Sequence, residues 1–244
     1  MNFKEIIEKI DKNKLPKHIG IIMDGNGRWA RIRGLPRVEG HKEGLKALEN
    51  LLEFNRYLRV EYITVYAFSK ENWHRDKDEV DFLMSMALKV LRDKIDEFKS
   101  KGIRFIHIGD TEGISPELVE MIKILEDATK GGDLYTLCAA FNYSGRYEIL
   151  NAFRRMITDF RDGKIDENSI NESIISNYIY HPEIPDIDLV IRTSGEQRIS
   201  NFMLWRVAYS ELYFTDVLWP DFTPDHFVKA IIDYQSRERR FGRV

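Results

Sequence analysis

At 244 residues, the chain can form one large domain or two small ones around a buried core. Its 43% hydrophobic and 32% charged residues exclude a disordered chain, and a formal net charge of -3 gives no basic field of the kind nucleic-acid binding needs. The single cysteine, Cys138, excludes an internal disulfide and a cysteine-based zinc site.

Residues 1–17 alternate Lys and Glu with Ile and Phe, which reads as an N-terminal helical extension without the apolar stretch of a signal peptide. Strands are predicted at Ile19–Met23, Tyr62–Phe68, Ile103–Ile108, Leu134–Asn142 and Ile187–Arg192. Apolar residues at helical spacing predict helices at Glu43–Tyr57, Glu79–Lys99, Pro116–Thr129, Arg146–Phe160 and Pro224–Glu238. Ser115 and Thr223 are the expected caps of the third and fifth. Cys138 sits in the apolar run of the fourth strand and reads as a core residue.

Alternating strands and helices, with no repeat or linker, predict a single α/β domain with a mostly parallel central sheet flanked by helices. No apolar run reaches the roughly 18 residues of a membrane span, so the expected location is the cytoplasm, with peripheral membrane contact left open.

In such sheets ligands bind beyond the carboxyl ends of the strands. The first strand ends in Asp24-Gly25-Asn26-Gly27-Arg28-Trp29. Its glycines let backbone N–H groups approach an anion, while the bland reading is an Asn-Gly turn. A carboxylate beside phosphate needs a cation between them, which makes Asp24 a candidate Mg2+ ligand; its other reading is a helix cap. Arg28, Arg31, Arg33, Arg37 and His41 follow as a local basic patch.

The last predicted strand runs into Arg192-Thr193-Ser194-Gly195-Glu196-Gln197-Arg198-Ile199-Ser200. Guanidinium forks and hydroxyls there suit a second phosphate group. Ser69, Asn72, Trp73 and Arg75 follow the second strand and form a candidate site wall. Glu211, in an apolar and aromatic stretch, is the expected second Mg2+ carboxylate.

Together these blocks resemble the cis-prenyltransferase family from about Lys17 to Gly242. The resemblance rests on His18–Ala30, Gly40-His41 with Gly44, Phe68-Ser69 with Glu71-Asn72-Trp73, and Asn142-Tyr143 with Gly145-Arg146. It continues through Asp188–Trp205, Tyr209 with Glu211, Trp219-Pro220-Asp221-Phe222 and Arg239-Arg240-Phe241-Gly242. It implies Mg2+-dependent condensation of isopentenyl diphosphate onto an allylic diphosphate such as farnesyl diphosphate. The implied product is a long-chain polyprenyl diphosphate, with undecaprenyl diphosphate for a cell-wall lipid carrier as the expected one.

By resemblance, Asp24 holds Mg2+ and is essential, and Asn72 sits near the reacting carbons with Ser69, Trp73 and Arg75. Gly25, Asn26, Gly27, Arg28, Trp29, Arg37 and His41 surround the allylic diphosphate. Arg192, Arg198 and Ser200 hold isopentenyl diphosphate, and Glu211 is the second metal-linked acid. Arg240 and Gly242 complete the partner subunit's site in a homodimer. An apolar tunnel for the product is expected, with Ala67, Leu83, Met84, Leu88, Leu137 and Ala139 as candidate lining. Asp76 stands where the family often has Pro, and Ser144 where it usually has Gly. The rival reading, a non-catalytic partner subunit of the same fold, predicts loss of Asp24 or of the arginine pairs, and all are present.

Overall fold

The computed structural model describes residues 7–239 and holds a six-stranded sheet in which every pairing is parallel. In chain order the strands are β1 (His18–Ile22), β2 (Tyr62–Ser69), β3 (Ile103–Ile108), β4 (Tyr135–Tyr143), β5 (Leu189–Arg192) and β6 (Glu211–Phe214). Across the sheet they run β3-β4-β2-β1-β5-β6. The helices are α1 (Asn26–Ile32), α2 (Arg37–Leu58), α3 (Lys77–Lys101), α4 (Pro116–Thr129), α5 (Gly145–Arg161), α6 (Glu172–Tyr178) and α7 (Pro224–Ser236).

The predicted strands and helices are all present, with ends moved by a few residues except at β3 and α4, which match. The side chain of Ser115 accepts from the Leu118 N–H at 3.3 Å, so the expected cap of α4 forms. Thr223 caps α7 in a capping box with His226. β6, α1 and α6 are additional elements of four and seven residues, too short to show a period. Of the expected extension over residues 1–17, residues 1–6 lie outside the described residues, and Lys12–Lys14 form one 3-10 turn.

Parallel sheets are covered on both faces, and this one follows the rule. Ile19 and Ile21 of β1 pack in one core with Leu51 and Phe54 of α2 and Phe227 and Ile231 of α7. Ile22 and Val190 point the other way, into a core with Phe202 and Met203. Full burial of side chains of this size stabilises by roughly 1.5–3 kcal/mol each. Cys138 is fully buried, and burial pushes its thiol up to about 12, as expected of an inert core residue.

The strand order fixes where a ligand can sit. The chain lays β2 on one side of β1 and later returns to lay β5 on the other. The carboxyl ends of β1 and β5 therefore flank a crevice at the topological switch point. Ile22 is in register with Arg192, which brings the segments after both strands together.

Candidate active site

Asp24 follows β1 by two residues. Arg192, the last residue of β5, donates from Nη2 to Asp24 Oδ2 at 2.8 Å. The Arg192 side chain is 5% exposed and that of Asp24 is 34% exposed. The Asp24 carbonyl accepts from Thr193 Oγ1 at 2.6 Å and from the Trp219 N–H at 3.0 Å, which fixes the backbone here. Gly25 caps α1 at φ 112°, a left-handed conformation that a side chain would strain. Asp24 is thus not the cap of α1, and its carboxylate stays directed at the crevice.

Gly40 and Gly44 let α2 press onto the start of α1. A Cβ on Gly40 would lie 2.0 Å from the Asn26 carbonyl oxygen, and one on Gly44 would lie 2.4 Å from Asn26 Oδ1. This contact holds Gly25, Asn26, Gly27 and Arg28 beside Arg37 and His41 around one crevice with Asp24 and Arg75.

Three side chains of that crevice, Arg37, His41 and Arg75, converge on a carboxylate that sequence reasoning missed. Glu79, 7% exposed in the first turn of α3, accepts at Oε1 from Arg75 Nη1 at 2.9 Å and lies 3.2 Å from Arg37 Nε and 3.0 Å from His41 Nε2. Burial lowers the His41 pKa, against the pull of the Glu79 hydrogen bond and charge. In sequence Glu79 looks like an ordinary first-turn helix acid, and only the packing of Arg37 and His41 of α2 against it, beside Arg75 one turn earlier, reveals its place.

The second basic segment is tied to the first. Arg192 Nη1 donates to Ser200 Oγ at 2.7 Å and to the Arg198 carbonyl at 2.5 Å. Arg198 pairs with Glu196 at 2.5 Å, and Arg28 reaches across to Glu196 at 2.8 Å and to the Ser194 carbonyl at 2.7 Å. Arg28 and then Arg198 hold the Glu196 carboxyl below its ordinary range. Ser194, Gly195, Ser200 and Asn201 all have left-handed φ, a concentration of costly backbone found where geometry serves a ligand. Arg192 Nε, Ser194 Oγ and Asn26 Oδ1 are buried without a hydrogen-bond partner. Such atoms call for an explanation, and an absent polar ligand supplies one.

The wall after β2 is held by local bonds. Asn72 Oδ1 accepts the Ser69 N–H at 3.1 Å in a capping box around the 3-10 turn Lys70–His74. Trp73 stacks edge-on against Phe68 and donates Nε1–H to Asn142 Oδ1 at 2.8 Å. Ser144 caps α5 and also accepts from Asn201 Nδ2 at 2.8 Å, a tie a glycine could not make. Trp29 turns from the crevice, donating Nε1–H to Asp221 at 2.8 Å under the Arg33 guanidinium.

An apolar cavity leads away from this crevice, sharing Met23, Asn26 and His41 with it. It runs between α2 and α3 over the sheet, with Ala67, Leu83, Leu137 and Ala139 in its lining as expected. Met84 and Leu88 are corrected: they are not in that lining and pack partly buried against the core cluster of Leu83, Leu118 and Ile122.

Glu211 needs a correction. It opens β6, in register with Leu189 at the start of β5, three ladder rows from Arg192. Strand rise alone separates it from that end by about 10 Å. Its carboxylate is paired with Arg237 at 2.9 Å. Within one chain it cannot share an ion with Asp24. Arg240 and Gly242 lie outside the described residues.

Asp24 fits Mg2+ without a second protein carboxylate. That ion takes one or two carboxylates and completes its shell with substrate phosphate and water. One oxygen of Asp24 is bonded to Arg192, which leaves the other for an ion. Among the described residues, no group of three or more His, Cys, Asp or Glu is placed to hold a metal. Among the same residues, no helix is long and apolar enough to cross a membrane.

Residues 22–242 match the undecaprenyl diphosphate synthase family model. An isoprenyl transferase of Fusobacterium nucleatum is 52% identical over 235 residues, covering 96% of this chain and 99% of that protein. An isoprenyl transferase of Prochlorococcus marinus is 46% identical over 243 residues, covering 100% of this chain and 89% of that protein. The crystal structure of lavandulyl diphosphate synthase from Lavandula x intermedia, in complex with dimethylallyl diphosphate, superposes with a TM-score of 0.89 at 32% identity. It covers 94% of this chain and 99% of its own.

Proposed function

The chain belongs to the undecaprenyl diphosphate synthase family of prenyltransferase enzymes, and from that premise we propose that it elongates an allylic diphosphate with isopentenyl diphosphate in cis, in successive Mg2+-dependent steps. Farnesyl diphosphate is the proposed primer and undecaprenyl diphosphate, for a cell-wall lipid carrier, the proposed product.

The observation that carries this reading is the Asp24–Arg192 pair at the switch point, with a basic crevice on one side and an apolar cavity leading away. Elongation needs two diphosphates close together. Arg37, His41, Arg75 and the N–H groups of Gly25 to Arg28 would take the allylic one, and Arg192, Arg198 and Ser200 the isopentenyl one. A bound Mg2+, held by Asp24 and diphosphate oxygens, would neutralise charge on the leaving group. The guanidinium groups fixed around it do the same work without reorganising. Holding both substrates in this crevice also makes their encounter effectively intramolecular. The hydrocarbon tail of the allylic substrate would enter the cavity between α2 and α3, where Ala67 leaves room.

A homodimer is proposed through α5. Ile149, Leu150, Phe153, Ile157 and Phe160 stand exposed along that one helix. A contiguous apolar stripe of this kind suits a self-complementary twofold contact.

Incubation with farnesyl diphosphate, labelled isopentenyl diphosphate and Mg2+, followed by chain-length analysis, tests the reading. Long labelled prenyl diphosphates are expected, and no incorporation by the folded protein excludes it.

A further inference from the structure

Asn201 ties three separate parts of the chain together. It directly follows Ser200 and holds φ 63°, a left-handed conformation that asparagine tolerates better than most side chains. Its Nδ2 donates to Glu71 Oε1 at 2.7 Å and to Ser144 Oγ at 2.8 Å. Its Oδ1 accepts the Arg146 N–H at 2.9 Å, and its carbonyl accepts the Gly145 N–H at 2.9 Å. The partners fix the orientation of the amide. A carboxylate only accepts and a backbone N–H only donates, so Nδ2 faces Glu71 and Oδ1 faces Arg146.

Two of these bonds are helix capping. They satisfy the first two N–H groups of α5, and Ser144 Oγ takes the third, from Tyr147, at 3.4 Å. Gly145 allows the close approach, because a Cβ there would lie 2.8 Å from the Asn201 carbonyl oxygen. Capping has no use for the bond to Glu71. That residue belongs to the turn Lys70–His74, which also carries Asn72 and Trp73. On its other side, Asn201 adjoins Ser200, whose hydroxyl accepts from Arg192 at 2.7 Å.

We propose that Asn201 is a positioning residue for prenyl transfer. It fixes the segment of Arg192, Arg198 and Ser200 against the wall of Ser69, Asn72 and Trp73, with Glu71 as its anchor on that wall. The inference rests on the elongation reading above. In that reading the segment holds the isopentenyl diphosphate group while the wall lies near the reacting carbons. The separation of segment and wall then decides whether the carbons meet, and a misplacement of about 1 Å can cost roughly 10²-fold in rate. Asn201 acts through Ser200 and Glu71, not on the substrates.

Asn201→Asp separates positioning from capping. Aspartate also tolerates left-handed φ, its carboxylate still accepts the Arg146 N–H, and negative charge suits a helix N-terminus. The melting temperature should therefore hold. The new carboxylate has no proton to give Glu71 and repels it instead. KM for isopentenyl diphosphate should rise about tenfold or more, with a fall in kcat, while KM for farnesyl diphosphate moves little. In a Glu71→Gln background the same change should cost about threefold or less, because the glutamine amide can donate to the carboxylate. The double-mutant cycle removes any effect of Glu71→Gln alone. Equal losses in both backgrounds, or no loss in the folded Asn201→Asp variant, overturn the proposal.

Hydrogen exchange gives a second readout that needs no turnover. Peptides covering residues 69–75 and 193–203 should both exchange faster in Asn201→Asp and recover together when Glu71→Gln is added. If Asn201→Asp does not fold, Glu71→Ala, a change at an exposed side chain, decides by the same exchange and by KM for isopentenyl diphosphate; no change in either overturns the proposal. Coupled exchange in a protein that makes no prenyl product would keep the Asn201–Glu71 tie and remove the elongation reading. Prenyl product with uncoupled exchange would do the reverse.

Discussion

The buried guanidinium of Arg192 is bonded to the partly exposed carboxylate of Asp24 across the ends of two adjacent parallel strands. This pair neutralises Asp24 while keeping its rotamer turned to the crevice, so the carboxylate is placed before any ion or substrate arrives. Asp24→Ala is expected to lower kcat by about 10²-fold or more, the scale of losing an electrostatic contact to the leaving group. Diphosphate binding, measured by calorimetry, should weaken but persist, because the arginines remain. Full activity of the variant would exclude a metal role for Asp24.

Arg192→Lys tests the other half of the pair. Arg192 serves Asp24, Ser200 and the Arg198 carbonyl at once, which an ammonium on a flexible stem cannot reproduce. Charge-assisted hydrogen bonds contribute roughly 1.5–3 kcal/mol each, so KM for isopentenyl diphosphate should rise about ten- to a hundredfold. KM for the allylic diphosphate should move much less. Equal changes in both would show that the two substrates are not held by separate segments.

Much of this site is legible in the amino-acid sequence, because strand ends in a parallel sheet are where chemistry collects. Asp24 and Arg192 each follow or close an apolar run, and both runs form strands. What sequence cannot supply is sheet order, and without it nothing says that β5 lies beside β1. The same gap misplaces Glu211: its apolar neighbours suggest a buried acid, but β6 is a four-residue strand and Glu211 opens it at the far end. Glu79 is invisible for the opposite reason, since its neighbours, Arg75 among them, are ordinary for a helix start and its other partners, Arg37 and His41, lie on α2. Met84 and Leu88 miss the cavity although they share a core cluster with Leu83 and Ala87, which line it, because helical spacing shows an apolar face but not which of its residues border open space.

His18 makes the fold sensitive to acid. Its buried ring lies 2.7 Å from the Pro185 carbonyl and 2.7 Å from Thr64 Oγ1. Burial, despite the Pro185 bond, lowers its pKa from 6.5 to about 4. The unfolded chain therefore takes up a proton first as pH falls. The stability from a neutral His18 is complete above pH 6.5 and is lost progressively down to about pH 4, a change of roughly 3 kcal/mol. Carboxylates titrate in the same window, so denaturant unfolding of His18→Gln beside the parent isolates the share of this residue. The variant should show the shallower fall, and parallel curves would contradict the assignment.

Phe153 is 59% exposed at the middle of the apolar stripe of α5. Phe153→Glu is expected to shift the protein from dimer to monomer by sedimentation or light scattering. The fold of each protomer should persist, since an exposed substitution usually changes stability by about 0.5 kcal/mol or less. If Arg240 and Gly242 complete the partner's site, as the family resemblance implies, activity should fall with the dimer fraction. A fully active monomer would contradict that completion.

Glu79→Gln separates holding the crevice from filling it. Gln keeps the size of the side chain and removes the charge on which Arg37, His41 and Arg75 converge. Arg37 is 56% exposed, so its pairing with Glu79 is largely screened and should matter least. Arg75 and His41 are better buried, and losing their anchor should cost roughly 1–3 kcal/mol of stability. A merely structural role ends there. A positioning role for Glu79 adds a KM for the allylic diphosphate raised about tenfold or more, with kcat nearly unchanged. It also predicts a steeper dependence of that KM on salt, because guanidinium groups freed from their internal counter-charge meet the diphosphate through solvent. Unchanged KM and salt dependence in a destabilised variant would reduce Glu79 to a packing residue.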